Sequence, residues 1–406
     1  MNILKLWSAI LGNLFEHYDA ALFGFLSPFL APLIFPDKEP VVALILTYAM
    51  IPLGMIARPI GSLVFGYIGD TYGRRQALFL TLGGMAVVSA GIALSPTFQT
   101  AGLLAPLIFC AGRILQNFFS AGETMGGAIY VLEDTPEKKH DFVSSLYSTS
   151  TIGGILLASA GVALLSSMGV LEKGWRLLYV VGCITAFFGL LIRRHLPVSL
   201  PPKTHGWIKT FWQERRALFF ITVAAGFAYS TYTMALVLMN GFIPLITSLS
   251  KAQMVSLNTG LLVLDFCLLP FFGWVATRIS REKLMLGVAI CVALLASFLL
   301  SALHNASLFT VIGIRICFVI FGVAFFAPFH AWAQQLVPPA HRYAIISFGY
   351  ALGSQLLGGP TAAISLWLFK TTGIVSSVSW YWILLAALCF FCLKFAQKKK
   401  PAWVAA

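Results

Sequence analysis

Runs of about twenty apolar residues, separated by short polar breaks, recur along this whole 406-residue chain, and they restrict its fold more than any other feature. A hydrocarbon core about 30 Å thick takes roughly 20 such residues per helical span. Inside it each backbone amide and carbonyl must be satisfied by the spanning structure itself, which leaves helices and closed barrels. The alternating pattern of a barrel, about ten residues per segment, is absent. Twelve helical spans are predicted, near residues 5–34, 41–69, 76–95, 101–131, 141–167, 174–194, 216–241, 252–277, 283–303, 307–335, 342–369 and 378–395. Charged residues make up 10% of the chain, against about 25% in soluble domains. The first span reads as a retained helix rather than a signal peptide, because it is long and Glu16 and Asp19 interrupt it.

The net charge of +13 invites a nucleic-acid reading, but the distribution of the charges points to a membrane. With the N-terminus inside, most of the 27 Lys and Arg fall in the tails and even-to-odd loops, from Arg74, Arg75, Lys138 and Lys139 to Lys398–Lys400. Outer loops hold Lys38, Lys173, Arg176, Lys251 and Lys370. Such asymmetry sets topology, so both termini are expected in the cytoplasm. The seven cysteines lie in apolar spans without metal-ligand spacing and read as small hydrophobes; neither metal nor cofactor is expected.

The longest polar break runs from Arg193 to Arg216 and separates six spans from six. The predicted division is an N-terminal bundle, 1–195, a cytoplasmic linker, 196–215, and a C-terminal bundle, 216–406. The halves also resemble each other. GYIGDTYGRRQAL (66–78) after span 2 matches GWVATRISREKLM (273–285) after span 8, with Thr277 where a second aspartate would stand. PEKKHDFVSS (136–145) likewise matches PPAHRYAIIS (338–347). Duplicated halves suit secondary transporters that rock around a midplane site.

GYIGDTYGRR resembles the loop 2–3 signature of the major facilitator superfamily, with Gly66, Gly69 and Gly73 for the turn, Asp70 to meet a helix end or an arginine, and Arg74 and Arg75 at the cytoplasmic face. Finer features are similar to its metabolite:proton symporter branch, which includes proline/betaine, 2-oxoglutarate, citrate and shikimate permeases. They are GNLFEHYDAALFGF (12–25), IARPIGSLVFGYIGD (56–70), RILQNFFSAGETMGGAIYVLEDTP (113–136), GWRLLYVVG (174–182) and VPPAHRYAIISFGYALGSQLLGGP (337–360). The resemblance implies an all-α integral membrane protein of two pseudo-symmetric six-helix bundles, the major facilitator fold. It also implies a monomer in a bacterial inner membrane whose partners are a small-molecule substrate, protons and the lipid bilayer.

Seven strongly ionisable residues fall well inside spans, away from their ends: Glu16, Asp19, Arg58, Arg113, Glu123, Asp265 and Arg315. Left facing lipid, each costs roughly 2.5–3.5 kcal/mol, on the order of 20 kcal/mol together, so they must be paired or face a wet cavity. Glu16 and Asp19, three apart, share one helix side with Asn13. Two carboxylates in one low-dielectric place resist simultaneous ionisation, which makes them the proton-coupling candidates. Alternatively one of them pairs with Arg58 or Arg113. His17 points about 100° away from Glu16 and reads as packing.

Arg113 and Gln116 share a face of helix 4 and offer a cation and an amide to a substrate carboxylate; Arg58 is a further cavity candidate. The other reading is a latch, with Arg113 bound to a carboxylate elsewhere or Glu123 closing the cytoplasmic side. Asp265 and Arg315 are expected to pair between helices 8 and 10; alternatively Arg315 takes the substrate's anionic end. Tyr232, with Tyr229 and Asn240, is a cavity candidate on helix 7. His330 reads as a core or gate residue, and Gly122-x-x-x-Gly126 as close helix packing.

The reading is a proton-driven importer of a carboxylate-bearing metabolite, with a proline- or betaine-like zwitterion favoured and a di- or tricarboxylate as the alternative. A proton-driven exporter is the reading of another class, but STIGGILLASAG (150–161) has Gly153-Gly154 without the proline usual in drug antiporters of this superfamily. An enzyme is disfavoured because no nucleophile–base arrangement, HExxH pair, phosphate loop or CxxC pair is present. Scattered charges in duplicated halves also fit a channel poorly.

Overall fold

The computed structural model describes residues 3–194 and 207–398, and among them it is helical without strands. All twelve expected spans are present. They are α1 (Ile3–Ile34), α2 (Pro40–Met55 continued by Ala57–Thr71), α3 (Arg74–Ala93), α4 (Leu104–Leu132), α5 (His140–Ser167) and α6 (Leu171–Arg194). After them come α7 (Arg215–Tyr232, a π-helical turn Thr233–Leu238, and Met239–Ile246), α8 (Lys251–Ile279), α9 (Arg281–Ser301), α10 (Leu308–Phe326 and Phe329–Gln335), α11 (Arg342–Leu352, a π turn Gly353–Gly358, and Thr361–Thr372) and α12 (Trp380–Lys398). Residues 196–206 of the expected linker lie outside the described residues; Trp207–Gln213 forms a short helix.

The interruptions have local causes. A proline inside a helix removes one amide and clashes with the carbonyl four residues back. Pro59 thus acts on Met55, where α2 breaks, and α10 breaks directly before Pro328. Among the described residues nine helices are long and apolar enough to cross a membrane. Breaks shorten the pieces of α2 and α11, and Glu16, His17 and Asp19 dilute the apolar character of α1.

Contacts divide the chain into two units. The first holds residues 3–134, 150–194 and 339–347; the second holds 135–149, 207–338 and 348–398. In the first unit Leu22, Phe23, Leu26, Leu30 and Ile34 of α1 pack with Ile92, Phe109, Trp175 and Tyr179. Helices in lipid associate by close packing and hydrogen bonding rather than by the hydrophobic effect. Small residues make that approach possible: a side chain at Gly61 would run into the Phe118 carbonyl, and one at Gly154 into that of Leu14. Asn13, Glu16 and Asp19, buried on α1 just before that apolar row, build the site.

Candidate functional site

Glu16 and Asp19 are both buried, and each has its own set of partners. Glu16 Oε1 accepts from Ser120 Oγ and from Thr124 Oγ1 at 2.7 Å, both on α4, and lies 3.4 Å from Arg58 Nη2. Arg58 also donates to Ser120 Oγ at 2.8 Å and to Asn117 Oδ1 at 3.2 Å, so α2 is tied to α1 and α4 around one ion pair. His17 is turned aside: its Nδ1 is 2.9 Å from the Asn13 carbonyl, one turn back. Asn13 donates to Ser150 Oγ and Thr151 Oγ1, each at 2.8 Å, and so fastens α1 to α5.

Asp19 Oδ2 accepts from Ser89 Oγ on α3 and from Gln116 Nε2 on α4, both at 2.6 Å. The other end of that amide, Gln116 Oε1, accepts from Arg113 Nη1 at 2.7 Å, while the guanidinium lies over the Phe23 ring at 4.7 Å. Carboxylate, amide and guanidinium thus form one chain. Arg113 and Gln116 meet because residues three apart share a helix face. Asp19 Oδ1 and Arg113 Nε have no hydrogen-bond partner among the described residues, and Asp19 borders a small pocket with Phe15, Met85, Ser89 and Gly182.

Toward the end expected in the cytoplasm, Glu123 is clasped by Arg193, with Nη1 to Oε2 at 2.8 Å and Nη2 to Oε1, and it accepts from Thr81 at 3.0 Å. Both side chains are fully buried, and Gly12 lies so close that any side chain there would strike them. Arg193 is a site residue that the sequence marks only as the start of the long polar break; its one signal is a doubled arginine at the end of an apolar run.

The loop motif is built around Arg74, which pairs with Asp70 and with Glu133 at 3.1 Å and donates to the carbonyls of Gly69 and Pro339. Asp70 also accepts from the backbone amides of Tyr343 at 3.2 Å and Ala344 at 2.9 Å. A carboxylate at a helix start fills otherwise unbonded amides and opposes the helix dipole. Gly66 faces Ala344 and Gly69 faces the Tyr343 ring, where no side chain would fit. Gly73 takes φ 109, a conformation that favours glycine. Arg75 donates to the last carbonyls of α6, at Arg193 (2.9 Å) and Arg194. Burial and the charge of Arg74 hold His341, in the short turn before α11, below its ordinary pKa. On α4, Gly122 packs against Phe65 and Thr81, and Gly126 against Tyr343.

The second unit departs from expectation at Arg315. Its guanidinium donates to the carbonyls of Met254 (3.4 Å) and Ala235 (3.1 Å) and to Asn258 Oδ1 (2.7 Å), and no ion pair joins it to Asp265 among the described residues. The expected pair fails for a geometric reason. Asn258 and Asp265 are seven residues apart on α8, about 10 Å of rise, and Arg315 is engaged at the Asn258 level. Tyr229 and Tyr232 form a ring pair with centroids 6.3 Å apart, and Asn240 donates to the Leu236 carbonyl. His330 is packed among Tyr147, Phe326 and Phe329. At the second copy of the loop motif Arg281 pairs at 2.8 Å with Asp141, a residue not singled out from the sequence.

Comparison with known proteins agrees with this architecture. Residues 6–201 match the family model described as "Sugar (and other) transporter". A citrate-proton symporter of Klebsiella pneumoniae is 30% identical over 396 residues, covering 93% of this chain and 88% of the relative. An alpha-ketoglutarate permease of Escherichia coli (strain K12) is 28% identical over 95% of this chain and 92% of its own. A protein named as a proline/betaine transporter in Staphylococcus haemolyticus (strain JCSC1435) is 28% identical over 91% and 82%. Among solved structures, a proton:xylose symporter superposes with a TM-score of 0.76 at 16% identity, over 98% of this chain and 96% of that one. The chain belongs to the major facilitator superfamily, in its metabolite:proton symporter branch. The proteins of this family are transporters, and the relatives named here are symporters and permeases of small molecules.

Proposed function

We propose that this chain imports a small carboxylate-bearing metabolite together with protons, by alternating access, across a bacterial cytoplasmic membrane with both termini inside. One observation carries the proposal: the chain from Asp19 through Gln116 to Arg113. An ionised Asp19 accepts from the amide N–H and so turns the amide oxygen toward Arg113. A protonated Asp19 becomes a donor; besides the Ser89 hydroxyl, the acceptor that turning the Gln116 amide would bring to it is that same oxygen. The amide then turns round and presents its N–H groups to Arg113, where two donors cannot bond. Arg113 is released to fork onto a substrate carboxylate. Protonation and substrate capture are thereby linked.

Of the two carboxylates on α1, Asp19 is the proton carrier, because Glu16 already has a cation. Arg58 and Arg193 are ion-paired, whereas among the described residues Arg113 has no carboxylate bound directly. One uncommitted cation suits one carboxylate, which favours a proline- or betaine-like zwitterion. Citrate or 2-oxoglutarate is the second reading, favoured by what two of the relatives are named for. A 100 mV potential supplies about 2.3 kcal/mol per proton, roughly 50-fold accumulation.

The test is uptake by proteoliposomes offered proline, betaine, 2-oxoglutarate and citrate, with and without an inward proton gradient. Gradient-dependent accumulation of one of them is expected. Uptake indifferent to the gradient would overturn the coupling, and uptake of none would overturn the substrate class.

A further inference from the structure

Resting on that reading of the function, we infer that Asp265, with the Tyr229–Tyr232 pair, recognises the cationic group of a zwitterionic substrate. Asp265 sits midway along α8 and is 8% exposed. No residue among those described donates a hydrogen bond or an ion pair to its carboxyl. Arg315, the buried arginine of α10, is committed to two carbonyls and Asn258 about two helical turns away, and Arg281 of α9 is paired with Asp141. An ionisable group at membrane depth without a partner is costly to keep, and a ligand cation is the counter-charge that would make it favourable.

The surroundings suit an ammonium group. The π turn that follows Tyr232 is joined to α8, the helix of Asp265, by Arg315, which donates to the Ala235 carbonyl and to Asn258 Oδ1. The Tyr232 ring is tilted 45° to that of Tyr229, and both rings are half-buried rather than sealed in the core. Aromatic faces beside a carboxylate attract ammonium and quaternary ammonium groups through the ring quadrupole. Tyr232 also ends a helical segment at a π-helical turn, Thr233–Leu238. Such turns inside α-helices are frequent at functional sites. The same carboxylate repels a di- or tricarboxylate, so it works as both an attractive and an excluding element. It thereby separates the two substrate classes left open by the first unit.

The experiment uses the full-length protein in proteoliposomes, with labelled betaine and proline in counterflow and unlabelled citrate as competitor. Monodispersity of each variant is checked before reconstitution. Asp265→Asn is expected to raise the KM for betaine by about tenfold or more, with citrate becoming an inhibitor. Asp265→Glu should keep betaine selectivity. Tyr232→Leu, which removes the ring but not the charge, should raise the betaine KM about three- to tenfold and spare citrate exclusion. If Asp265→Asn does not fold, the Glu and Leu variants decide: a KM unchanged in Tyr232→Leu overturns the inference. So does Asp265→Asn that moves betaine with the wild-type KM, or that loses only gradient-driven accumulation, which would mark a second proton site. Wild-type protein that moves citrate but neither zwitterion overturns this inference and leaves proton symport standing. Wild-type protein with no gradient-dependent uptake removes both.

Discussion

In the first unit the buried charges reach one another through short polar links: Arg58 to Glu16, Arg113 through Gln116 to Asp19, Arg193 to Glu123, and Arg74 to Asp70 and Glu133. In the second unit the membrane interior holds Arg315, bound to backbone carbonyls, and Asp265, which it does not meet. The difference teaches that duplicated bundles need not duplicate chemistry. A connected network can pass a change of protonation from one helix to the next, whereas a lone buried carboxylate can only meet what enters. The proposed proton switch therefore belongs to the first unit, and the proposed discrimination between substrates to the second.

The loop motif repeats the lesson in miniature. Arg74 finds its carboxylate four residues back, at Asp70, and that carboxylate also caps the start of α11. Its counterpart Arg281 has Thr277 at the matching place, and its carboxylate comes instead from Asp141, at the start of α5. Asp141 occupies the repeat position of Tyr343, so the pair survives with its negative member moved to the other helix. Breaking a buried pair by removing one partner costs more than the pair itself contributes, since a charge is left uncompensated.

Substitutions can break or sharpen this comparison, and the largest effect is expected at Asp19. Asp19→Asn should remove gradient-driven accumulation almost entirely, a loss of roughly 50-fold in the final concentration ratio, while substrate counterflow persists. Next comes Arg113→Lys, which keeps the charge but not the fork; counterflow should show a KM raised about tenfold or more. Asp141→Asn should destabilise the second unit by about 3–5 kcal/mol, read as a lower melting temperature in detergent; exchanging the charges, Asp141→Arg with Arg281→Asp, should restore part of it. Glu16→Gln should have a smaller effect on accumulation than Asp19→Asn, because its hydroxyl partners on α4 can still bond an amide. If the two variants fail equally, the separate roles given to the two carboxylates are wrong. Arg315→Lys should be the mildest, lowering thermal stability while leaving the substrate KM unchanged, since Arg315 is engaged with backbone and Asn258.

Much of this was legible in the sequence because the membrane imposes simple rules. Length and apolarity locate the twelve spans, and the cost of a buried charge marks Glu16, Asp19, Arg113 and Glu123 for attention. Partners were less legible wherever they depend on how helices meet. Arg193 lies at the end of α6, 70 residues from Glu123, and read alone it is an ordinary cytoplasmic arginine. Ser89, Ser120 and Thr124 are hydroxyls in apolar runs, common enough to carry no signal until a carboxylate is seen beside them. A pair between Asp265 and Arg315 follows from charge alone; the carbonyl of Ala235, in a π turn with no sequence signature, and Asn258 take the arginine instead. Asp141 carries no sequence signal because its partner sits in the second copy of a motif that has Thr277 at the aspartate position.

The most direct test of the coupling role given to Asp19 is the proton movement that accompanies substrate entry. Proteoliposomes carrying a pH-sensitive dye inside, with no imposed gradient, are given an inward gradient of whichever substrate the wild-type protein accumulates. Wild-type protein should acidify the lumen as substrate enters, and Asp19→Asn should admit substrate without acidification. Equal acidification by both proteins, or none by the wild type, would contradict the account.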